Sequence, residues 1–245
     1  MLETPVKKGR RKVSDEQSDP PPFQPLVNPL PPAVVALALG IFAIELVISA
    51  GVGGYFGGPS AVGWRIEAIR SFAFFNEMLA YLLETHRYAS AEWLRFLTYP
   101  FVHLGFTHAL MVIVFLLALG KLVGDVFGSL AVLTVFFTSA LFGALVFAGL
   151  TTSAHPLVGG YPAVYGLIGT YTFLLWVRLG QMGEPQARAF GLIGVLLFIQ
   201  LIFGLFFGAG QDWVAEIAGF LMGFAIAPAL APGGFRRLLD RLRQR

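Results

Sequence analysis

The sequence predicts an all-α membrane protein, a bundle of six transmembrane helices with an amphipathic helical segment in its first outer loop. Three observations carry this. The 245 residues are 56% hydrophobic and only 13% charged, whereas soluble domains carry about 25% charged residues. Six segments, approximately 32–52, 101–123, 126–150, 157–177, 189–208 and 213–231, come close to the roughly 20 apolar residues that span a hydrocarbon core. The 17 Lys and Arg residues are also segregated. Lys7, Lys8, Arg10, Arg11 and Lys12 open the chain, Arg236, Arg237, Arg241, Arg243 and Arg245 close it, and a six-span path puts Lys121, Arg178 and Arg188 on the same side. Arg65, Arg70, Arg87 and Arg95 fall in one long outer segment, so the positive-inside rule places both termini in the cytoplasm.

Residues 1–31 are basic, then acidic, then proline-rich, with too few large apolar residues to offset the entropy of ordering. They read as a disordered cytoplasmic tail. Some twenty polar residues separate the basic cluster from the first apolar run, which does not fit a cleaved signal. Residues 32–231 form the membrane domain, and 232–245 a second basic tail. The basic residues sit at the ends rather than along one face, so nucleic acid is not an expected partner; the lipid bilayer is. The absence of cysteine excludes disulfides and thiolate metal sites.

The first span contains Glu45, an ionisable group that inside a bilayer must be paired, protonated, turned to a polar cavity or brought near an end by tilt. The outer segment, 53–100, includes "WRIEAIRSFAFFNEMLAYLLE". On a helical wheel Glu67, Arg70, Glu77 and Glu84 share one sector, and Ile69, Phe72, Leu79 and Leu83 another. One interfacial amphipathic helix is predicted, with a small soluble hairpin over the bundle as the alternative. The fourth to sixth spans are glycine-rich, which suits close packing by neighbours.

Three stretches together carry a recognisable pattern. The first is "EWLRFLTYPFVHLGFTHALMVIVFLLALG", with Trp93, Arg95, Thr98, His103 and His108. The second is "GGYPAVYGLIG", and the third "EIAGFLMGF". Jointly they resemble the rhomboid family of intramembrane serine proteases: the tryptophan-arginine, threonine and paired-histidine pattern before the second span, Gly-x-Ser-Gly-x-x-x-Gly-x-x-Gly opening the fourth, and His-x-x-Gly-x-x-x-Gly on the sixth. Trp93 is displaced by one position. The resemblance covers about residues 90–230 and implies an inner-membrane location in a bacterium.

It also implies roles position by position. Gly166 and Gly169 on the fourth span match the family's packing glycines, as do Gly219 and Gly223 on the sixth. The nucleophilic serine is replaced by Tyr161, followed by Pro162, and the general-base histidine by Glu216. The oxyanion asparagine, four residues after His108, is replaced by Val112. A phenol has a pKa of about 10 and a bulky ring, and cannot take a serine's place in peptide hydrolysis. No catalytic residue is expected. Pro162 suits a helix start, where its missing N–H would be unpaired.

His103 and His108 read as structural hydrogen-bonding groups, with acid–base or ligand roles as the alternative. His155 reads as solvated and Tyr165 as core. Glu216 either bonds to His108 or Tyr161 or points to outer water beside Asp212 and Trp213. One imidazole, one carboxylate and one phenol are an incomplete zinc set, so no metal or cofactor is expected. Two functions follow: a pseudoprotease that binds transmembrane segments of client proteins, or an active protease with a relocated nucleophile such as Thr151, Thr152 or Ser153. A transporter would need paired broken helices and an internal repeat, and the sequence offers neither.

Overall fold

The computed structural model of the chain describes residues 29–86, 91–207 and 210–231. Most of the predicted N-terminal tail and all of 232–245 lie outside the described residues. Among the described residues, five helices are long and apolar enough to cross a membrane: α1 (Pro32–Val52), α5 (Phe106–Phe127), α6 (Ser129–Leu150), α7 (Tyr161–Gln181) and α9 (Trp213–Leu230). The predicted fifth span, 189–208, is instead a 3-10 turn, Gln186–Phe190, followed by the 17-residue helix α8 (Gly191–Phe207). That helix is shorter than the roughly 20 residues of a full crossing.

Two other spans begin later than the hydropathy suggests. Residues 99–101 form a 3-10 turn, so His103 precedes α5 rather than lying in it. Residues 157–160 are likewise extended and turn, which leaves Tyr161 as the first residue of α7 and Pro162 in its first turn. Hydropathy registers apolar character, whereas the helix starts only where the backbone can hydrogen-bond forward. The connection from α5 to α6 is Gly128 alone, at φ +85°, a conformation open to glycine without a Cβ clash.

α7 is the centre of the bundle, packed most extensively on α9 and then on α6. The contact is made at backbone distance. A Cβ added at Gly219 would overlap the Pro162 carbonyl oxygen, one at Gly223 the Gly166 oxygen, and one at Gly169 the Phe220 oxygen. A Cβ at Gly166 would strike the Ser139 hydroxyl of α6. Thr170 Oγ1 lies 3.1 Å from the Gly166 oxygen of its own helix and 3.0 Å from the Gly223 oxygen across the seam. Without water to drive association, such close backbone packing and interhelical hydrogen bonding supply the attraction between membrane helices.

The predicted single amphipathic helix of the outer segment is two helices, α2 (Trp64–Phe72) and α3 (Met78–Glu84). Between them Phe74 pairs in an antiparallel bridge with Leu157, the two residues exchanging hydrogen bonds of 3.1 and 2.7 Å. Phe74 and Leu82 are fully buried, while Phe72 and Leu83, on the apolar sector of the predicted helix, are about half exposed. A tertiary backbone pairing, invisible to a helical wheel, resets the phase.

Candidate functional site

The N-terminal ends of α5, α7 and α9 lie at the same end of the bundle as the loop that contains the short helix α4 (Arg95–Thr98). Arg95 and Thr98 organise this loop. The Arg95 guanidinium donates to the carbonyls of Arg70 (2.6 Å) and Ala73 (3.1 Å), and Thr98 Oγ1 to that of Phe72 (3.1 Å). All three acceptors lie at the C-terminal end of α2, where carbonyls lack partners within the helix and a cation is favoured. Arg95 is also paired with Glu92, and the Trp93 ring stacks on Phe96.

A second set of bonds leads from α1 to the start of α7. Glu45 is 1% exposed and is gripped from two sides by Arg65: Nη2 to Oε1 at 2.7 Å and Nη1 to Oε2 at 3.1 Å. Ser49 donates to Glu45 Oε1 at 2.6 Å. The pairing resolves the position of Glu45. Arg65 Nη1 further donates to the His103 carbonyl at 2.7 Å. His103, fully buried, accepts the Gly160 N–H on Nε2 at 3.4 Å. Burial first, then the neighbouring His108, holds its pKa down to about 4, so the ring is neutral and able to accept at pH 7.

His108 stands edge-on to His103, ring centroids 5.2 Å apart, and its Nδ1 faces the Leu104 N–H at 3.4 Å. Its other face is covered by Tyr161. Gly159, at φ +86°, brings the chain so close that a Cβ there would meet the His108 ring at 2.8 Å. Val112 packs on Gly160 in the same manner and offers no donor to this corner.

Glu216 is 6% exposed, and its carboxylate accepts a hydrogen bond from Gln200 of α8. Both sequence expectations for it need correction: the carboxylate is bonded to Gln200 rather than to His108 or Tyr161, and the group does not stand in outer water. Instead it lines a cavity of about 280 Å³ together with Tyr161, Tyr165, Gln200 and apolar side chains of α5, α7 and α8. Sequence reasoning missed Gln200. Its signal was available, as the one amide in the apolar run "GLIGVLLFIQLIFGLFF", where an intramembrane polar group calls for a partner.

Of the relocated-nucleophile candidates, Ser153 and Thr151 have hydroxyls engaged with backbone groups. Ser153 Oγ bonds the backbone of His155 in both directions, donating at 3.1 Å and accepting at 3.2 Å. Thr151 Oγ1 donates to the Phe147 carbonyl (2.7 Å), and the Thr152 N–H to Gln211 Oε1 (3.1 Å). Asp212, before α9, has its pKa raised by burial, partly offset by His155. Among the described residues, no three His, Asp or Glu side chains form a group that could hold a metal ion.

Fold and site define a class: an all-helical membrane protein in which the N-terminal ends of α5, α7 and α9 bring a phenol, an imidazole and a carboxylate to one end of the bundle. The chain belongs to the rhomboid family, the Rhomboid domain matching residues 90–233. It is similar to a Bacillus subtilis (strain 168) protein named "Putative rhomboid protease YdcA", with 27% identity over 143 residues, covering 57% of this chain and 68% of that protein. α1, α2 and α3 precede the matched stretch.

Proposed function

We propose that this rhomboid-family chain is a pseudoprotease that binds transmembrane segments of client membrane proteins without cleaving them. The observation that carries the reading is the filled corner. Tyr161, in the nucleophile's place, covers the His108 ring, and Glu216, in the base's place, is occupied by Gln200. Hydrolysis needs an activated nucleophile with its base in hydrogen-bond reach and donors for the oxyanion. Tyr161, Glu216 and Val112 supply none of the three. The reading includes a bacterial inner-membrane location with both termini cytoplasmic, supported by the segregation of basic residues.

The name of the Bacillus subtilis relative favours a second reading, an active rhomboid-type endopeptidase with a non-standard nucleophile. One experiment decides between them. The purified chain in vesicles is treated with a serine-reactive fluorophosphonate, and separately given a helix-destabilised transmembrane substrate. Neither labelling nor cleavage is expected, while a photocrosslinker in the client segment should capture the intact chain. Stoichiometric labelling of any serine would establish the second reading.

A further inference from the structure

Among the described residues two carboxylates are buried, and their surroundings differ in one respect. Glu45 has its cation, Arg65. Glu216 forms no ion pair with a Lys, Arg or His among the described residues, and the charged neighbour acting on it is another acid, Asp212. Gln200 donates one of its two amide N–H groups to Glu216, and its Oε1 is buried with no hydrogen-bond partner. The two side chains therefore present surplus acceptors to the same cavity. At about 280 Å³ the cavity exceeds the roughly 30 Å³ of liquid volume that one bridging water takes up. It reaches the surface of the bundle, because Ile199, one of its walls, is 46% exposed.

We propose that this cavity is a binding site for a single basic side chain, Lys or Arg, carried on an apolar transmembrane helix, with Glu216 as its anionic partner and Gln200 Oε1 as a second acceptor. The inference rests on the reading that the chain holds client segments, and names the feature it selects. Chemistry supports each part of the occupant. Surplus acceptors call for a donor, and a buried carboxylate without a cation calls for charge. The walls contributed by Phe115, Ile168 and Leu196 accept an aliphatic stem. Val195, Phe198 and Ile202 on the exposed side of α8 give an apolar helix a surface to lie along. An aminophospholipid fits less well, since it brings a phosphate close to its ammonium and the residues lining the cavity include no cation to meet it.

The chain contains no cysteine, so Ala154→Cys on the exposed loop before α7 gives a single dye site. The labelled full-length protein in phosphatidylcholine vesicles is mixed with acceptor-labelled single-span leucine–alanine helices. These carry Lys, Leu or Glu about one turn from the outer end, matching the depth of Glu216 in α9. Energy transfer should show the Lys helix bound at least tenfold more tightly than the Leu helix, and the Glu helix more weakly than either. Glu216→Gln should bring the Lys and Leu helices to within about twofold of each other. Equal binding of the Lys and Leu helices to the unaltered protein would overturn this inference and leave client binding standing. No binding of any helix would overturn both. Loss of the Lys preference when phosphatidylethanolamine replaces phosphatidylcholine would assign the site to a lipid headgroup and overturn the client assignment.

Discussion

The Tyr161 ring stacks on the His108 imidazole, centroids 5.2 Å apart and planes inclined by 18°. On the pseudoprotease proposal, this phenol stands where a rhomboid protease would need an open serine, and the Glu216 carboxylate of α9 is bonded to Gln200. Removing the phenol alone does not restore a base. Tyr161→Ser should stay unreactive toward fluorophosphonate, and the double variant Tyr161→Ser with Glu216→His should label faster by at least about 100-fold, the usual contribution of a positioned general base. In-gel fluorescence of the two purified variants measures this. Equal labelling of both would mean that His108 or another group already serves as the base.

His103 makes stability pH-dependent. The fold holds its imidazole neutral down to about pH 4, whereas in the unfolded chain it protonates near its ordinary value. The unfolded state then binds more protons in acid. His103's contribution is full above about pH 6.5 and is lost as pH falls toward 4, a loss on the order of 3 kcal/mol. Thermal unfolding of the detergent-solubilised chain between pH 7.5 and 4.5 should show this decline. His103→Gln, which does not titrate, should flatten it; an unchanged slope would assign the acid sensitivity elsewhere.

The Glu45–Arg65 pair fastens α2, in the outer segment, to α1 and through the His103 carbonyl to the start of α7. Glu45→Leu strands a guanidinium that is 17% exposed, and a broken buried pair costs about 3–5 kcal/mol. Replacing both members leaves no orphan charge. The double variant Glu45→Leu with Arg65→Leu should therefore recover most of the loss in an unfolding cycle, and additive losses would show that the two residues act independently.

The membrane class and the α1 boundaries were legible because long apolar runs leave few alternatives. The packing glycines were implied by the family resemblance, and the structure places all four on the α7–α9 and α6–α7 contacts. What escaped was decided by tertiary partners. The helix expected over 64–84 breaks at Phe74 because Leu157, more than eighty residues later, takes its backbone hydrogen bonds. Arg65 could be counted as an outer charge, yet nothing local in the sequence says that it reaches Glu45. Gln200 was not singled out, and its bond to Glu216 depends on how α8 and α9 are set side by side.

The seam between α7 and α9 gives the sharpest contrast between two glycines of one composition. At Gly223 an added methyl group meets a backbone carbonyl, Gly166 O, which cannot rotate away as a side chain could. Relief requires the helices to separate, which also breaks the Thr170 bridge to Gly223 O. At Gly40, in the middle of α1, an added methyl group would meet nothing within 4 Å, so only backbone preference is at stake there. Gly223→Ala should destabilise by about 1–3 kcal/mol or more, the range for overpacking. Gly40→Ala should be neutral or slightly stabilising, because alanine is the better helix former by up to about 1 kcal/mol. Reversible unfolding of both variants in mixed micelles compares them directly. A Gly223→Ala protein as stable as the Gly40→Ala protein would mean that α7 and α9 do not meet at backbone distance, and the packing on which the site's geometry depends would have to be redrawn.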